Sequence, residues 1–533
     1  MGLYLNPGNE AFADLVKSNN FVDKTGLIAY MNGRIGQEKH LIASSRPRRF
    51  GKTIAVRMLT AYYSRGCDSR ELFRNLEIAK DSTFETHLNQ YDVIRLDIQW
   101  MKTSAIPAVK AEEVPDLISY IHREVIRELR EAYPEYVDER AISLPVVLAD
   151  IHVKTKKQFV IIIDEWDCVF REDKENKALQ NDYINFLRGL FKGSASDEFV
   201  KLVYITGILP IKKYGTQSAL NNFRELTMIA PGGIARYIGF TEEEVKGLCE
   251  KHQMAFEEMK AWYDGYVFRE AGHIYSPNSV MEAIDNREFQ DYWSQTETYE
   301  DLKFYIEMNF DGLKQKVIDM LGGKRCEIVT RSFQNDMTSF KSASDVLTLL
   351  VHLGYLAYDS VTREVFIPNE EVRDTFVLSV MEGGWDEVYR AIRDSERLLE
   401  ATIAMDEDTV SRMIQDVHMQ TSSSLVYNNE QSLASVIQVA YYSAAKDYEL
   451  IREMPAGEGF ADMVFVPKRG AEKPALVVEL KWDKSAEGAI EQIKGRKYVE
   501  ALKAFKGNVL LVGINYDKKS KKHQCRIERC PVE

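Results

Sequence analysis

The segment HLIASSRPRRFGKT, residues 40–53, constrains the fold more than any other stretch of the chain. It runs from a short apolar strand, His40–Ser44, through a loop into Ile54–Tyr63, which has helical character. A loop leading from a strand to a helix N-terminus gathers free backbone N–H groups and the positive end of the helix dipole, and so holds phosphate. In such a loop Lys52 reaches the outer phosphates and Thr53 offers its hydroxyl to Mg²⁺. The match to the general pattern G-x-x-x-x-G-K-S/T is partial. Gly51, Lys52 and Thr53 fit, but Arg46 stands at the first glycine position and Pro47 follows it. Arg46 adds bulk and Pro47 removes a donor, while Arg46, Arg48 and Arg49 bring charge that suits phosphate.

A second segment completes the site. QFVIIIDEWD places Asp164 at the tip of an apolar strand, with Glu165 next. An Asp in that place holds Mg²⁺ through water, and the Glu polarises an attacking water. An acidic strand-end loop is common in α/β proteins, but the two segments in this order, about 110 residues apart, are a rarer combination. KLVYITG then puts Thr206 at another strand tip, either to sense a γ-phosphate or simply to end the strand.

At 533 residues the chain exceeds one hydrophobic core, which stops growing near about 250–300 residues. Three textures divide it. Residues 1–240 alternate short strands (His40–Ser44, Val93–Gln99, Phe159–Asp164, Leu202–Thr206) with helices, the pattern of a parallel α/β sheet. Residues 241–420 are mainly helical by period, with Thr241 before three glutamates as an N-cap. There Ala343–His352, Gly354 and two short strands predict a winged-helix-like lobe. Residues 421–533 return to mixed α/β.

Net charge is −13, against a generic nucleic-acid coat, but Pro467 onward carries a surplus of seven positive charges. A local phosphate-contacting face and a solvated charged surface both fit that surplus. Six scattered cysteines form no disulfide framework and suit a reducing compartment. No secretory leader and no membrane-length apolar run is visible, so the expected setting is the cytoplasm, with no membrane partner.

The sequences SRPRRFGKT and IIIDEWD, with WYDGYVF (262–268), IYSPNSV (274–280), LGYLAYD (353–359) and FIPNEEV (366–372), resemble the bacterial AAA-ATPase-like family over roughly residues 5–400. The family carries Arg-Pro-Arg-Arg-Phe-Gly-Lys in this loop, so Arg46 agrees with it. The resemblance implies a P-loop parallel-sheet domain that binds and hydrolyses ATP with Mg²⁺, with Arg46, Arg48, Arg49, Phe50, Gly51, Lys52, Thr53, Asp164 and Thr206 around the nucleotide. An arginine finger is not singled out by spacing: Arg188, Arg224 and Arg236 are all candidates.

In the last region, GFADMVFVP puts Asp462 at a strand start, and ALVVELKWD puts Glu479 and Lys481 two apart, on one face of another strand. Two carboxylates on adjacent strands with a lysine are the parts of metal-assisted phosphodiester hydrolysis, although E-x-K pairs on strands are commonplace. Gln492 and Tyr498 follow on helical spacing, and Glu430 precedes on a helix. Residues 427–515 resemble the PD-(D/E)XK nuclease superfamily, with its restriction-endonuclease-like fold. That resemblance implies Asp462, Glu479 and Glu430 as metal ligands, Lys481 as catalytic, Gln492 as the following-helix glutamine, and nucleic acid, DNA first, as partner. Phe460 follows Gly459 where relatives carry Arg. Two rivals stay open: a nucleotide-gated switch that holds nucleic acid without cutting, and one whose partner is protein. An oligomer is compatible with all three.

Overall fold

The computed structural model describes the chain except residues 1, 106–115, 212–219, 294–301, 306–307, 309, 322, 332, 334–339, 383–385, 422–432, 434–436, 438–439, 457–458, 469–472, 496–508 and 531–533. It divides into two compact units, one of Met1–Tyr305, Asn309–Asp311 and Glu327–Thr375, the other of Ile306–Met308, Gly312–Cys326 and Phe376–Glu533.

The first unit is built on five strands, β1 (Leu41–Ser45), β2 (Asp92–Asp97), β3 (Phe159–Asp164), β4 (Val200–Gly207) and β5 (Arg224–Leu226), ordered β2-β3-β4-β1-β5. Every pairing in it is parallel. Strands β1 and β3 are buried at every position, as near-continuous apolar runs should be when helices cover both faces. The chain leaves β1 for the far edge, returns through β3 and β4, and crosses to β5, so the order reverses beside β1. Ligands bind at such a reversal, outside the carboxyl ends of the strands. Ile98 and Gln99, expected to extend β2, instead open the helix Ile98–Ala105.

Helix Lys52–Tyr63 follows β1 directly, and Val56, Leu59, Tyr62 and Tyr63 are fully buried. Beyond the sheet, Thr241 and Glu244 form a capping box on helix Glu242–His252, as the acidic run predicts. Strands Phe240–Thr241, Tyr266–Phe268 and Gly272–Tyr275 make a small antiparallel sheet. Helix Ala343–Leu353 ends at Gly354, whose φ of +92° suits glycine, and the hairpin Ala357–Asp359 with Glu364–Phe366 follows.

The second unit carries a mixed sheet in chain order: Tyr448–Ala456, Gly459–Pro467, Ala475–Trp482, Val509–Asp517 and Lys522–Cys530. Only Ala475–Trp482 and Val509–Asp517 run parallel, and helix Ala486–Gly495 lies in the connection between them. Alternation divides the core. Met463, Phe465, Val478 and Leu480 pack on one face with Leu398 and Ile414; Val464, Val466 and Val477 pack on the other with Ile490 and Ile493. The final strand was not expected. It is an edge strand, and Cys525 and Cys530 on it are in no disulfide. Among the described residues, no helix is long and apolar enough to cross a membrane.

Candidate functional site

Register brings the first site together. Strand β4 lies between β1 and β3 and pairs Ser44 with Thr206 and Ile163 with Ile205, so the tips of the three strands stand side by side. The loop after β1 turns through two left-handed residues, Arg49 (φ +70°) and Gly51 (φ +86°), into helix Lys52–Tyr63. Glycine accepts that conformation freely, whereas a non-glycine held there costs about 1–3 kcal/mol and persists only when its surroundings impose it. Lys52 Nζ donates to the Pro47 carbonyl at 2.9 Å and lies 4.0 Å from Glu165. Burial pulls the Lys52 ammonium below its ordinary range, against the pull of Glu165, Asp167 and Asp164.

Asp164 is 1% exposed, and burial followed by the neighbouring Glu165 charge pushes its carboxyl up to about 6, against a hydrogen bond with the Thr53 side chain. A desolvated carboxyl beside a hydroxyl and a second carboxylate is a hard-oxygen donor set, which fits magnesium. Glu165 also adopts left-handed backbone (φ +50°) and is held by Arg171. Arg171 in turn reaches Asp167 at 3.2 Å, and Asp167 accepts the backbone N–H groups of Ile208 (3.0 Å) and Leu209 (2.8 Å). Gly207 is required there, because a Cβ would meet Asp167 and Trp166 within 2.6 Å. Asp167 and Arg171 thus fix Glu165 and tie two strand-end loops together. The sequence analysis missed them, although an acid and an arginine four apart on a helical turn were a usable signal.

A cavity of about 450 Å³ opens on this loop, within the range of small-molecule sites. Arg48, Arg49, Phe50, Gly51, Lys52, Thr53 and Glu165 line one part, and Phe21, Val22, Tyr237, Phe240 and Met281 supply an apolar wall. Lys24, paired with Glu244 at 2.6 Å, also lines it and had no signal in the sequence. Arg46, Asp164 and Thr206 do not line the cavity. Thr206 and Asp164 are fully buried, and Asp164 is joined to the cavity wall by its hydrogen bond with the Thr53 side chain. Arg46 turns away from it: the side chain is buried, its guanidinium stands 5.3 Å from the Phe268 ring centroid, and Nη1 donates to the carbonyls of Ser45 (2.9 Å) and Leu226 (3.3 Å). Burial lowers its pKa to about 10. None of Arg188, Arg224 and Arg236 lines the cavity.

In the second unit, the ladder between Gly459–Pro467 and Ala475–Trp482 ends at the pair Met463–Val478, one residue short of Asp462 and Glu479. Alternation puts Glu479 and Lys481 on the face of Val477, which is covered by helix Ala486–Gly495, and that helix supplies Gln492. Asp462 Oδ2 accepts the Leu480 N–H at 2.7 Å. Glu479 Oε1 accepts Lys481 Nζ at 2.9 Å and the Gln492 amide. Glu479 and Lys481 are 2% and 8% exposed, so this is a buried ion pair with an added hydrogen bond. Two carboxylates on neighbouring strands again suit a hard cation. Glu430 and Tyr498 lie outside the described residues. A third cluster, Glu242, Asp264 and His273, brings its ligand atoms within 4.8 Å. Lys246 (2.7 Å) and Lys260 (3.2 Å) already neutralise Glu242 there, which makes it an ion-pair network.

Fold and sites together define a parallel-sheet P-loop unit on the same chain as a mixed-sheet unit bearing a carboxylate–lysine cluster. Comparison makes both families specific. Residues 7–216 match the predicted AAA-ATPase family, and residues 428–525 match the PD-(D/E)XK nuclease superfamily. An uncharacterised protein encoded in the vnfD 5′ region of Azotobacter chroococcum mcd 1 is 23% identical over 304 residues. The alignment covers 55% of this chain and 54% of that protein, so the chain spans about half the length of the curated relative it matches. Among solved structures, a Walker-type ATPase of Pyrococcus abyssi aligns with a TM-score of 0.32 and 14% identity, over 68% of this chain and 99% of that one. The ORC2 protein of Aeropyrum pernix, in ADPNP and ADP complexes, aligns with a TM-score of 0.29 and 13% identity, over 70% and 97%.

Proposed function

We propose that the first unit binds ATP with Mg²⁺ and hydrolyses it, and that the second unit is a Mg²⁺-dependent phosphodiesterase acting on nucleic acid, DNA first. The observation that carries the reading is the convergence of Lys52, Thr53 and Glu165 at one cavity of nucleotide size, with the buried Asp164 hydrogen-bonded to the Thr53 side chain. Thr53 and Asp164 would hold the metal, whose chemistry is to neutralise charge on the phosphate oxygens. Lys52 exchanges its bond to the Pro47 carbonyl for the outer phosphates, the backbone N–H groups at the start of helix Lys52–Tyr63 cradle them, and Glu165, oriented by Arg171, takes a proton from the attacking water. In the second unit Asp462 and Glu479 would hold the cation, and Lys481 steadies charge developing on the phosphate.

Titration calorimetry with Mg²⁺ and an ATP analogue, on the full chain and on Lys52→Ala, tests the first half. Heat from the unaltered chain and none from the variant supports it, and no uptake by either sinks it. A plasmid-nicking assay with and without ATP, on the full chain and on Asp462→Ala, tests the second. One observation favours the rival switch that holds nucleic acid without cutting: Lys481 and Gln492 both already occupy Glu479 Oε1. DNA binding without metal-dependent cleavage would select it.

A further inference from the structure

The loop between β1 and helix Lys52–Tyr63 borders the cavity through Arg48, Arg49, Phe50, Gly51, Lys52 and Thr53, and it also reaches the middle segment. Arg46, which does not line the cavity, lies against the Phe268 ring, and a Cβ on Gly354 would sit 2.7 Å from the Pro47 ring. Arg49 donates from Nη1 to the Tyr292 carbonyl. Phe50, fully buried, packs nearly perpendicular to Tyr266 at 5.3 Å and to Trp293 at 6.5 Å.

The partners of these residues are themselves bound to one another. Tyr266 donates its hydroxyl to the Gly354 carbonyl, and Asn369 donates to the Asp264 carbonyl at 2.7 Å. Gly265, at φ +114°, lies so close to Pro368 that a Cβ would fall 2.1 Å from its carbonyl oxygen. Glu371 accepts the Tyr292 N–H at 3.0 Å and hydrogen-bonds the Ser279 side chain. The four stretches 262–268, 274–280, 353–359 and 366–372, dispersed in sequence, therefore meet in one knot beside the phosphate loop, and Pro277 and Asn278 of the second stretch also line the cavity.

We propose that Arg49 and Phe50, with Arg46 and Pro47 beside them, are positioning residues that clasp this knot, so that the phosphate-binding shape of the loop depends on the middle segment and nucleotide occupancy tightens that segment in return. The inference rests on the nucleotide reading above. Arg49 is held in a left-handed conformation that an arginine leaves unless its surroundings impose it, and what holds it is the Tyr292 carbonyl on one side and the buried Phe50 on the other. A loop shaped by its neighbour has an affinity set partly by that neighbour, and linkage makes the coupling reciprocal.

The test uses the full chain, with calorimetry of a Mg²⁺–ATP analogue and hydrogen exchange on peptides spanning 262–293 and 353–372. Nucleotide should slow exchange in those peptides of the unaltered chain. Phe50→Leu and Arg49→Ala should each weaken binding about tenfold and lose that protection, while exchange within β3 and β4 stays as it was. Arg49→Lys, which keeps a donor toward Tyr292, should restore most of both effects. Arg49 is only half-buried, so its variants carry the test if Phe50→Leu fails to fold. Equal binding by the unaltered chain and both weakened variants, or binding with no change at 262–293 and 353–372, overturns the clasp and leaves the nucleotide reading standing. No binding by the unaltered chain overturns both.

Discussion

The two candidate sites solve the problem of burying a carboxylate in opposite ways. Asp164, at the tip of β3, is desolvated beside another acid, and its carboxyl is driven up to about 6. Glu479, on the strand Ala475–Trp482, is as deeply buried but carries Lys481 and Gln492 on one oxygen. The first site keeps a carboxyl destabilised by burial and by a neighbouring acid, which on the proposed reading a bound cation would relieve. The second is balanced within the protein, so a metal there competes with a lysine already in place. A site poised for a ligand costs stability without it, whereas a self-paired site contributes stability and makes a ligand displace something.

The contrast is broken or sharpened by four measurements, taken from the largest expected effect downward. Lys52→Ala and Glu165→Gln should each lower ATP turnover about 100- to 1000-fold in a steady-state phosphate-release assay; turnover within tenfold of the unaltered chain would remove the first site from the chemistry. Lys481→Met should destabilise the second unit by about 3–5 kcal/mol in denaturant unfolding, because it leaves Glu479 buried without its cation.

Asp164→Asn should act with the opposite sign and raise the stability of the nucleotide-free first unit by up to about 3 kcal/mol at pH 7. Here the folded form holds its proton more tightly than the unfolded one, with an ordinary value of 3.8 and a folded value of about 6. The stability contributed by the neutral carboxyl is therefore present below 3.8 and lost as pH rises to about 6. Unfolding curves of the two proteins should converge at acid pH and separate through that window; parallel curves would show that Asp164 is not destabilising. The smallest effect concerns Glu371, whose carboxyl burial, aided by Asp291, raises to about 8 despite hydrogen bonds from Ser279 and the Tyr292 N–H. By the same sign, its stabilising neutral form is lost as pH rises from 4.5 to about 8. Glu371→Gln should flatten the pH 7–8 part of the stability profile, above the window in which Asp164 titrates, by no more than about 1.4 kcal/mol per pH unit.

Much of the first site was legible because its signals are local. A strand tip, a Gly-Lys-Thr turn and an Asp-Glu pair are each written in consecutive residues, and β3 and β4 are apolar runs that read as buried strands. Strand β5 was not legible: its three residues, Arg224–Leu226, become a strand only by pairing with β1. The edge strand Lys522–Cys530 was hidden for a related reason. It is rich in charge and buries only His523 and Ile527, so its strand character comes from its ladder with Val509–Asp517. Asp167 and Arg171 were overlooked because their value lies in holding Glu165 and the loop at Ile208 and Leu209.

The residue types at both sites, and the order in which they occur, were set by the amino-acid sequence alone, since phosphate, metal and proton chemistry each demand particular groups at short spacings. Where those groups point was decided only by tertiary structure. Arg46, Arg49 and Phe50 stand in a loop whose composition suggests phosphate, yet Arg46 turns wholly away, Phe50 packs into the middle segment, and Arg49 spends a hydrogen bond on Tyr292. Their orientation follows from Tyr266, Phe268, Tyr292 and Trp293, more than 200 residues along the chain. The reason is physical: burial and hydrogen-bond satisfaction are properties of neighbours in space, and a spacing rule reaches only neighbours along the chain.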